Sequence, residues 1–512
     1  VIKARFLVGF SGHRLGLNQE LIRPALTAVL AEMKQQAVRA GGTVELYTSI
    51  AEGADTLCVE AARALNLPVH LLLPLPDAEF SRDFTSPESW QRSRAEIEHA
   101  RMRPGRDSVH LVPGESTRPE CYFNQGIHML DAVDVLVAVW DGTNARGMGG
   151  TAEMVNHARA IGIPVIWIEP KTAAVTVQDG VDKVFKRDAV IDELNKMEAQ
   201  LRSGTNADEI SAPDELQKAL DEIAMQEASR FRPSLIRIIL LHGFAASLAA
   251  LVNFKAVDGS FWENSKWLIT FAELVLVSFA FWMIYRIQRR DIQQRWIRCR
   301  FACEIMRGLR TSVPILDPLH PAIARHEPEW RRFCLSVGLL VLAAAETHDP
   351  LQLRDKYIQI RLSDAHPDGQ VLHYLKMRPK ALRWWTWTGR LSSWSARLAP
   401  LFVLLSLINK ISKNHPSGGL GMEKHFASWI AVVFLPIGLP LLAGVASGLR
   451  QALDTGRRKD RYPQMVARLN EIKAALAGLQ TPSTVQRIVT RSEEILLDEL
   501  LEWKLAMKNT GH

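Results

Sequence analysis

The apolar run Val135–Trp140 is followed by Asp141-Gly142, then by Gly147-Met148-Gly149-Gly150-Thr151-Ala152-Glu153. After it, apolar side chains recur at helical spacing over Thr151–Ile161, and Gly162 supplies a stop. No other stretch restricts the possible folds as strongly. The run has the pattern of a buried strand, and Thr151–Ile161 has the pattern of a helix. Glycines between the two let backbone N–H groups converge on an oxyanion without interference from Cβ atoms. The helix N-terminus adds about half a positive charge. A second turn of this kind opens the chain, where Arg5–Phe10 leads into Ser11-Gly12-His13-Arg14.

The same rhythm runs through residues 1–170. Strand-like runs are Arg5–Phe10, Thr43–Tyr47, Val69–Leu73, Val109–Val112, Val135–Trp140 and Pro164–Ile168. Amphipathic stretches such as Asn18–Ala40, Asp55–Leu65 and Tyr122–Asp131 lie between them. Alternation of this sort predicts an α/β domain, Rossmann-like and doubly wound, with a mainly parallel sheet. Ligands in such folds sit beyond the carboxyl ends of the strands, at the switch point.

Beyond residue 170 the chain changes character. Ser234–Phe254, Trp267–Tyr285 and Phe426–Val445 are each apolar over about twenty residues, enough to cross ~30 Å of hydrocarbon. Leu398–Ile411 is shorter and spans only with little tilt, or with Trp394 and Arg397 reaching back to the interface. Cys334–Ala345 is too short to span and reads as a buried soluble helix. Arginines and lysines flank the outer ends of both pairs, whereas the connecting loops Lys255–Lys266 and Ser412–His425 are lightly charged. Two helical hairpins with every large part cytoplasmic satisfy the positive-inside rule. An all-α membrane domain of about four transmembrane helices with cytosolic helices is therefore expected. Its segments are 171–232 as a helical linker, 233–310 as the first hairpin with a cytosolic helix, and 311–395 as a cytosolic helical insert. The second hairpin is 396–448, and 449–512 forms C-terminal cytosolic helices.

Charge follows this division. Residues 1–170 hold 16 Lys and Arg against 20 Asp and Glu, while the whole chain carries +7. The positive excess thus belongs to the membrane flanks, and the acidic first domain lacks the basic groove with interleaved aromatics that single-strand nucleic-acid binding needs. The five cysteines have no metal-ligand spacing, so free thiols and no metal site are expected. The start of the chain reads as a strand, and no secretory signal is expected there.

Ser11, Gly12 and His13 are placed to offer backbone donors to phosphate, with Arg14 as counter-charge. A tight turn carrying a surface arginine is the plainer alternative. Glu52 and Asp55 flank Gly53 just after the second strand and suit a ribose diol, although Asp55 also suits an N-cap ahead of Thr56–Leu65. Trp140 is placed to stack on a base or simply to pack, with Asp141 beside it. Arg82 and Asp83 read as solvated surface charges. In the apolar segments His242 and Glu273 sit where ionisable groups face a pore or bond a neighbouring helix. Pro436 and Pro440, with Gly438, predict a kink in the last segment. Trp384, Trp385, Trp387 and Trp394 read as interfacial anchors.

At four places the chain resembles the SLOG group, which includes the LOG phosphoribohydrolases, the DprA DNA-processing proteins and the sensing domains of TRPM-type channels. They are Gly9-Phe10-Ser11-Gly12-His13-Arg14; Ser49-Ile50-Ala51-Glu52-Gly53-Ala54-Asp55; Leu73-Pro74-Leu75-Pro76 with Phe80 and Asp83-Phe84; and Gly147 to Glu153. The resemblance covers about the first third. The remainder, carried by Arg295-Trp296 through Arg310, is similar to the SLATT-type transmembrane effectors of bacterial conflict systems. The resemblance implies a ligand set of Gly9, Ser11, Gly12, His13, Arg14, Ser49, Glu52, Gly53, Asp55, Pro74, Trp140, Asp141, Gly147, Gly149, Gly150, Thr151 and Glu153. It implies as ligand a nucleotide-derived second messenger such as a cyclic dinucleotide or an ADP-ribose derivative; no catalytic residue and no cofactor are expected. The SLOG domain of Thoeris effectors is similar in recognising a cyclised ADP-ribose signal. Expected partners are that messenger, a messenger-producing enzyme encoded elsewhere, the bacterial inner membrane and further copies of the chain. LOG enzymes carry Pro-Gly-Gly-x-Gly-Thr-x-x-Glu, whose last Glu assists cleavage of base from ribose. Here Met154 holds that place and Glu153 falls one residue earlier, a 100° rotation on a helix. Sensing is expected over catalysis, with a membrane-anchored nucleotide N-glycosidase as the alternative.

Overall fold

The computed structural model describes residues 2–14, 16–103, 105–112, 117–144, 148–178, 180–201, 213–252, 260–316, 327–343, 349–413 and 426–509. The Ser203–Asn206 break, the first part of the loop Lys255–Lys266, nearly all of Ser412–His425, and Gly147 lie outside them, and Ser260–Lys266 is helical rather than loop. The chain divides into two compact units. One comprises Val1–Leu220, Cys303–Tyr357 and Gly478–Leu497; the other comprises Asp221–Ala302, Ile358–Ala477 and Asp498–His512.

The first unit is built on seven strands: β1 Ala4–Gly12, β2 Gly42–Thr48, β3 Val69–Leu73, β4 Ser108–Leu111, β5 Val135–Val139, β6 Val165–Ile168 and β7 Val175–Val177. Their order is β4-β3-β2-β1-β5-β6-β7, and every pairing is parallel except β6 with β7. This is the expected doubly wound sheet, with its switch point between β1 and β5. Phe6, Leu7 and Val8 and all of Val135–Val139 are buried, as strands covered on both faces must be. Between the strands run α1 Gln19–Arg39, α2 Ala54–Ala64, α3 Pro87–Arg101, α4 Arg118–Ala132 and α5 Thr151–Ala160. Ser86 and Thr117 each close a capping box at the start of α3 and α4.

One feature departs from the sequence reading: residues 171–232 are not wholly helical, because Val175–Val177 adds an exposed antiparallel edge strand. The buried soluble helix expected at Cys334–Ala345 is present as Arg331–Ala343, and it lies against β1: Ser336 Oγ accepts the Arg5 amide at 3.2 Å, and Arg332 stacks its guanidinium 4.3 Å from the Phe6 ring. Its Leu335 and Leu339 join the same buried cluster as Leu7, Leu136 and Val155. All five cysteines are buried and free.

The second unit is helical. Among the described residues, four helices are long and apolar enough to cross a membrane: Pro213–Ala250, Lys266–Arg289, Gln370–Ser412 and Ile430–Ala477. Leu398–Ile411 lies inside the third, so its own shortness imposes no limit on span. Phe271, Leu274, Phe279, Leu404, Leu407 and Ile411 face outward, an apolar surface that lipid satisfies and water does not. A π-helical turn, Ile430–Phe434, precedes Pro436. Proline at 436 has no N–H for the carbonyl of residue 432, and the wide turn absorbs that loss. Gly243 permits close approach of two of these helices, since a Cβ there would stand 2.7 Å from Val445 Cγ2. One turn away a Cβ on Gly448 would lie 3.8 Å from Ile239. Cysteines at 239 and 448 should therefore cross-link on oxidation, and adding Gly243→Leu should lower the yield at least tenfold on a non-reducing gel.

Candidate functional site

The two glycine turns meet at the switch point. The His13 amide donates to Val139 O at 3.0 Å, and Ser11 Oγ donates to Thr151 Oγ1 at 3.4 Å, joining the end of β1 to the start of α5. The second motif supports the first from below. Gly53 holds φ +100°, and a Cβ there would meet Arg14 O at 2.4 Å; the Ala54 amide donates to His13 O at 3.1 Å. Only glycine permits both that backbone conformation and that approach. A cleft of about 250 Å³ lies above these turns, lined by Ser11, Gly12, His13, Arg14, Ser49, Asp55, Gly149, Gly150 and Thr151.

Its electrostatics favour an anion beside a protonated acid. Gly150 is the N-cap of α5 and offers no side-chain cap, so the first-turn N–H groups have no intrahelical acceptor. Arg14 is exposed over the cleft, with its guanidinium 5.2 Å from the centre of the Tyr122 ring. Asp55 is only 6% exposed. Burial pushes its carboxyl up to about 7, against the pull of Arg14 and of the Ala51 and Gly12 amides. Ser49, also 6% exposed, lies beside Asp55, yet its Oγ makes no hydrogen bond of normal geometry.

No protein-family model matches the chain, and no curated protein matches it.

The remaining expected residues lie around the cleft in other roles. Gly9 is buried inside β1, where a Cβ would press on Val133 at 3.0 Å. Glu52 turns away to accept from the Thr85 amide (2.8 Å) and hydroxyl (2.6 Å), which hold its carboxyl low although desolvation opposes them. Pro74 is buried at the end of β3. Trp140 is packed against Trp167 at 5.5 Å and donates Nε1–H to Thr143 O. Asp141 accepts from Thr143, and its carboxylate lies 3.1 Å from His13 Nε2, a pair that ties the β1 and β5 turns together. The Thr143 hydroxyl and amide and His13 keep the Asp141 carboxyl well below the usual range. Glu153 accepts the Gly149 amide at 2.6 Å, so it braces the glycine turn from its outer side.

Sequence reasoning did not select Tyr122, Gln125, Gly126 and Met154, which complete the cleft from α4 and α5. A Cβ on Gly126 would lie 2.1 Å from Met154 Sδ, so this glycine sets how closely the two helices approach. Tyr122 donates its hydroxyl to Asp83 Oδ2 at 2.5 Å, and Arg118 reaches the same oxygen at 2.6 Å. Asp83 thus holds Tyr122, which lines the cleft, and is not a solvated charge. Burial, then the Asp83 bond, raises the Tyr122 phenol and keeps it a donor. In the membrane-capable helices His242 Nδ1–H donates to Ile238 O at 2.8 Å and is exposed, while Glu273 is half-buried. Pro436 and Pro440 follow the π turn.

Proposed function

We propose that the first unit is a SLOG-like sensor for a phosphorylated, nucleotide-derived signal and that the membrane-capable helices are its effector. The carrying observation is the meeting of two glycine turns at the switch point under Arg14, in a chain with four helices able to cross a bilayer. An anion in the cleft gains from the first-turn N–H groups of α5 and from Arg14. Ligand pockets commonly run about 300–1,000 Å³. The cleft of about 250 Å³ therefore suits one ribose-phosphate portion, with the rest of a cyclic dinucleotide or ADP-ribose derivative lying over its rim. Binding shifts the effector only through tighter binding to one of its states, which oligomerisation and opening or disruption of the bacterial inner membrane would express. In this reading the sensor and C-terminus face the cytoplasm, and the outcome is abortive infection in anti-phage defence.

The test is thermal stabilisation and membrane potential on the full chain. A true messenger at a hundredfold over its dissociation constant should stabilise the sensor by about 2.7 kcal/mol. The same compound should depolarise proteoliposomes. Arg14→Ala should weaken binding at least tenfold and move the depolarisation to correspondingly higher ligand. Depolarisation unchanged in Arg14→Ala would overturn the reading. A second reading, a membrane-anchored nucleotide N-glycosidase, draws on Asp55, an acid still partly protonated near neutrality within the cleft. Release of free base from a nucleotide, lost in Asp55→Asn, would favour it.

A further inference from the structure

Away from the switch point, the sheet carries a polar ladder that the sensor reading does not use. Strand pairing sets Glu45 beside Leu7, His70 beside Tyr47 and Ser108 beside His70, so Glu45, His70 and Ser108 share one face of β2, β3 and β4. His70 and Glu45 are 3% and 2% exposed. His70 Nε2 lies 2.7 Å from Glu45 Oε2, and its Nδ1 lies 2.7 Å from Ser108 Oγ. His110 Nε2 stands 2.8 Å from the same serine oxygen. Arg5 donates to the other Glu45 oxygen at 2.8 Å.

The hydrogens follow from the partners. Burial opposes the Glu45 charge, but Arg5 and His70 outweigh it and hold the carboxyl below its ordinary value. As a carboxylate, Glu45 only accepts, so His70 Nε2 carries a proton, and in the neutral imidazole Nδ1 is then the acceptor. Ser108 O–H then donates to Nδ1, and His110 donates Nε2–H to Oγ. Carboxylate, imidazole and hydroxyl in that order are the arrangement that activates a serine.

The ladder opens on a cleft of about 940 Å³, which Ser108, His70 and His110 line. The far wall is aliphatic, including Leu73, Val112, Ile315, Leu316, Leu339 and Leu342. The cations at the rim are already engaged: Arg101 with Asp77 at 2.9 Å and Arg106 with the Asn66 carbonyl at 2.8 Å. The aliphatic wall, beside these polar groups, is where an uncharged alkyl chain would lie.

We propose that Ser108 is the nucleophile of a second, hydrolytic site in this unit, acting on carboxylic esters with an aliphatic acyl chain. Ser108 Oγ attacks the carbonyl carbon as its proton passes to His70 Nδ1. The bond from that carbon to the alkoxy oxygen breaks, and the departing alcohol takes the proton from His70. Water, its proton taken by His70, then attacks the acyl-serine. The carboxylic acid leaves and the serine recovers its proton. His110 Nε2–H is the donor within reach of the oxyanion formed in each step. Glu45 is a positioning residue, acting through the His70 tautomer.

The experiment uses the full chain in detergent with an alkyl fluorophosphonate probe and p-nitrophenyl butyrate and octanoate. Peptide mapping should place the probe on Ser108, octanoate should be cleaved faster than butyrate, and Ser108→Ala should abolish both signals with its circular dichroism unchanged. Glu45→Gln should lower kcat at least tenfold and leave KM within twofold, which a merely structural role would not do. Arg14→Ala, in the other cleft, should leave labelling intact, so failure of the sensor reading and of this one are separable. No modification of Ser108 in the folded protein, or labelling at an equal rate in His70→Gln, would overturn the proposal.

Discussion

Replacing Asp55 by Asn is expected to remove a pH dependence of stability on the order of 4 kcal/mol. In the folded unit burial pushes this carboxyl up to about 7, whereas in the unfolded chain it titrates near 3.9. Between those values the folded state holds the proton that the unfolded state has released, so stability falls as pH rises. The contribution is fully present below about pH 4, declines through neutrality and is lost above about 7. Three units at about 1.4 kcal/mol each set the size. Hydrogen exchange of the α2 and β1 amides, followed from pH 5 to 8, reads it directly. The wild-type protein should lose protection over that range, beyond the intrinsic rise in exchange, and Asp55→Asn should not. Equal slopes in the two proteins would show that the carboxyl is not held protonated.

The same residue links pH to ligand. A phosphoryl group near Asp55 disfavours its charge further, so binding should draw a proton from solution when the pH is near 7. Calorimetry of a bound messenger in buffers of different ionisation enthalpy would register that uptake, and Asp55→Asn should bind without it and more tightly above pH 7. Proton uptake on binding depends on the sensor reading, but the stability slope does not.

The glycine pattern and the apolar runs made much of this legible. Strands buried on both faces advertise themselves as uninterrupted apolar stretches, which is why Val135–Val139 and Val69–Leu73 are readable and the sheet could be anticipated. Val175–Val177 is three residues long and wholly exposed, so neither length nor burial marked it. Turn residues of the cleft were readable because glycine and its short polar neighbours carry a local signal. Tyr122 and Gln125 were not, because their place in the cleft depends on how α4 leans on α5, and that in turn depends on Gly126 facing Met154. Glu153 was located on the right turn, but its bond to the Gly149 amide is a matter of rotamer that spacing does not reveal. The ladder of Glu45, His70 and Ser108 comes from three separate strands, and only the register brings it together.

Register also underlies the second large effect. Asp134→Ala should destabilise the first unit by about 3 kcal/mol, although it lies in neither cleft. The Asp134 side chain is 7% exposed and serves three groups at once. Its Oδ2 accepts the Leu7 amide at 2.9 Å, and its Oδ1 accepts from Arg331 at 2.7 Å and from Arg332 at 3.4 Å. The Asp134 amide meanwhile donates to Leu7 O at 2.8 Å, so the residue pins the entry of β5 to β1. Alanine leaves a buried N–H without an acceptor and two guanidinium groups without a counter-charge. Arg331→Ala should cost roughly half as much, since that side chain is 29% exposed and the groups it leaves regain water. The double variant should cost less than the sum, because each removes part of the same interaction. Exchange of the Leu7 and Leu136 amides, compared between the variants, gives each value, and a loss of about 3 kcal/mol appears as roughly hundredfold faster exchange. Additive costs would mean that the helix Arg331–Ala343 is held by its apolar face alone. A shortfall of about 1 kcal/mol or more would establish that a segment some two hundred residues downstream fastens the central pair of strands on which both clefts depend.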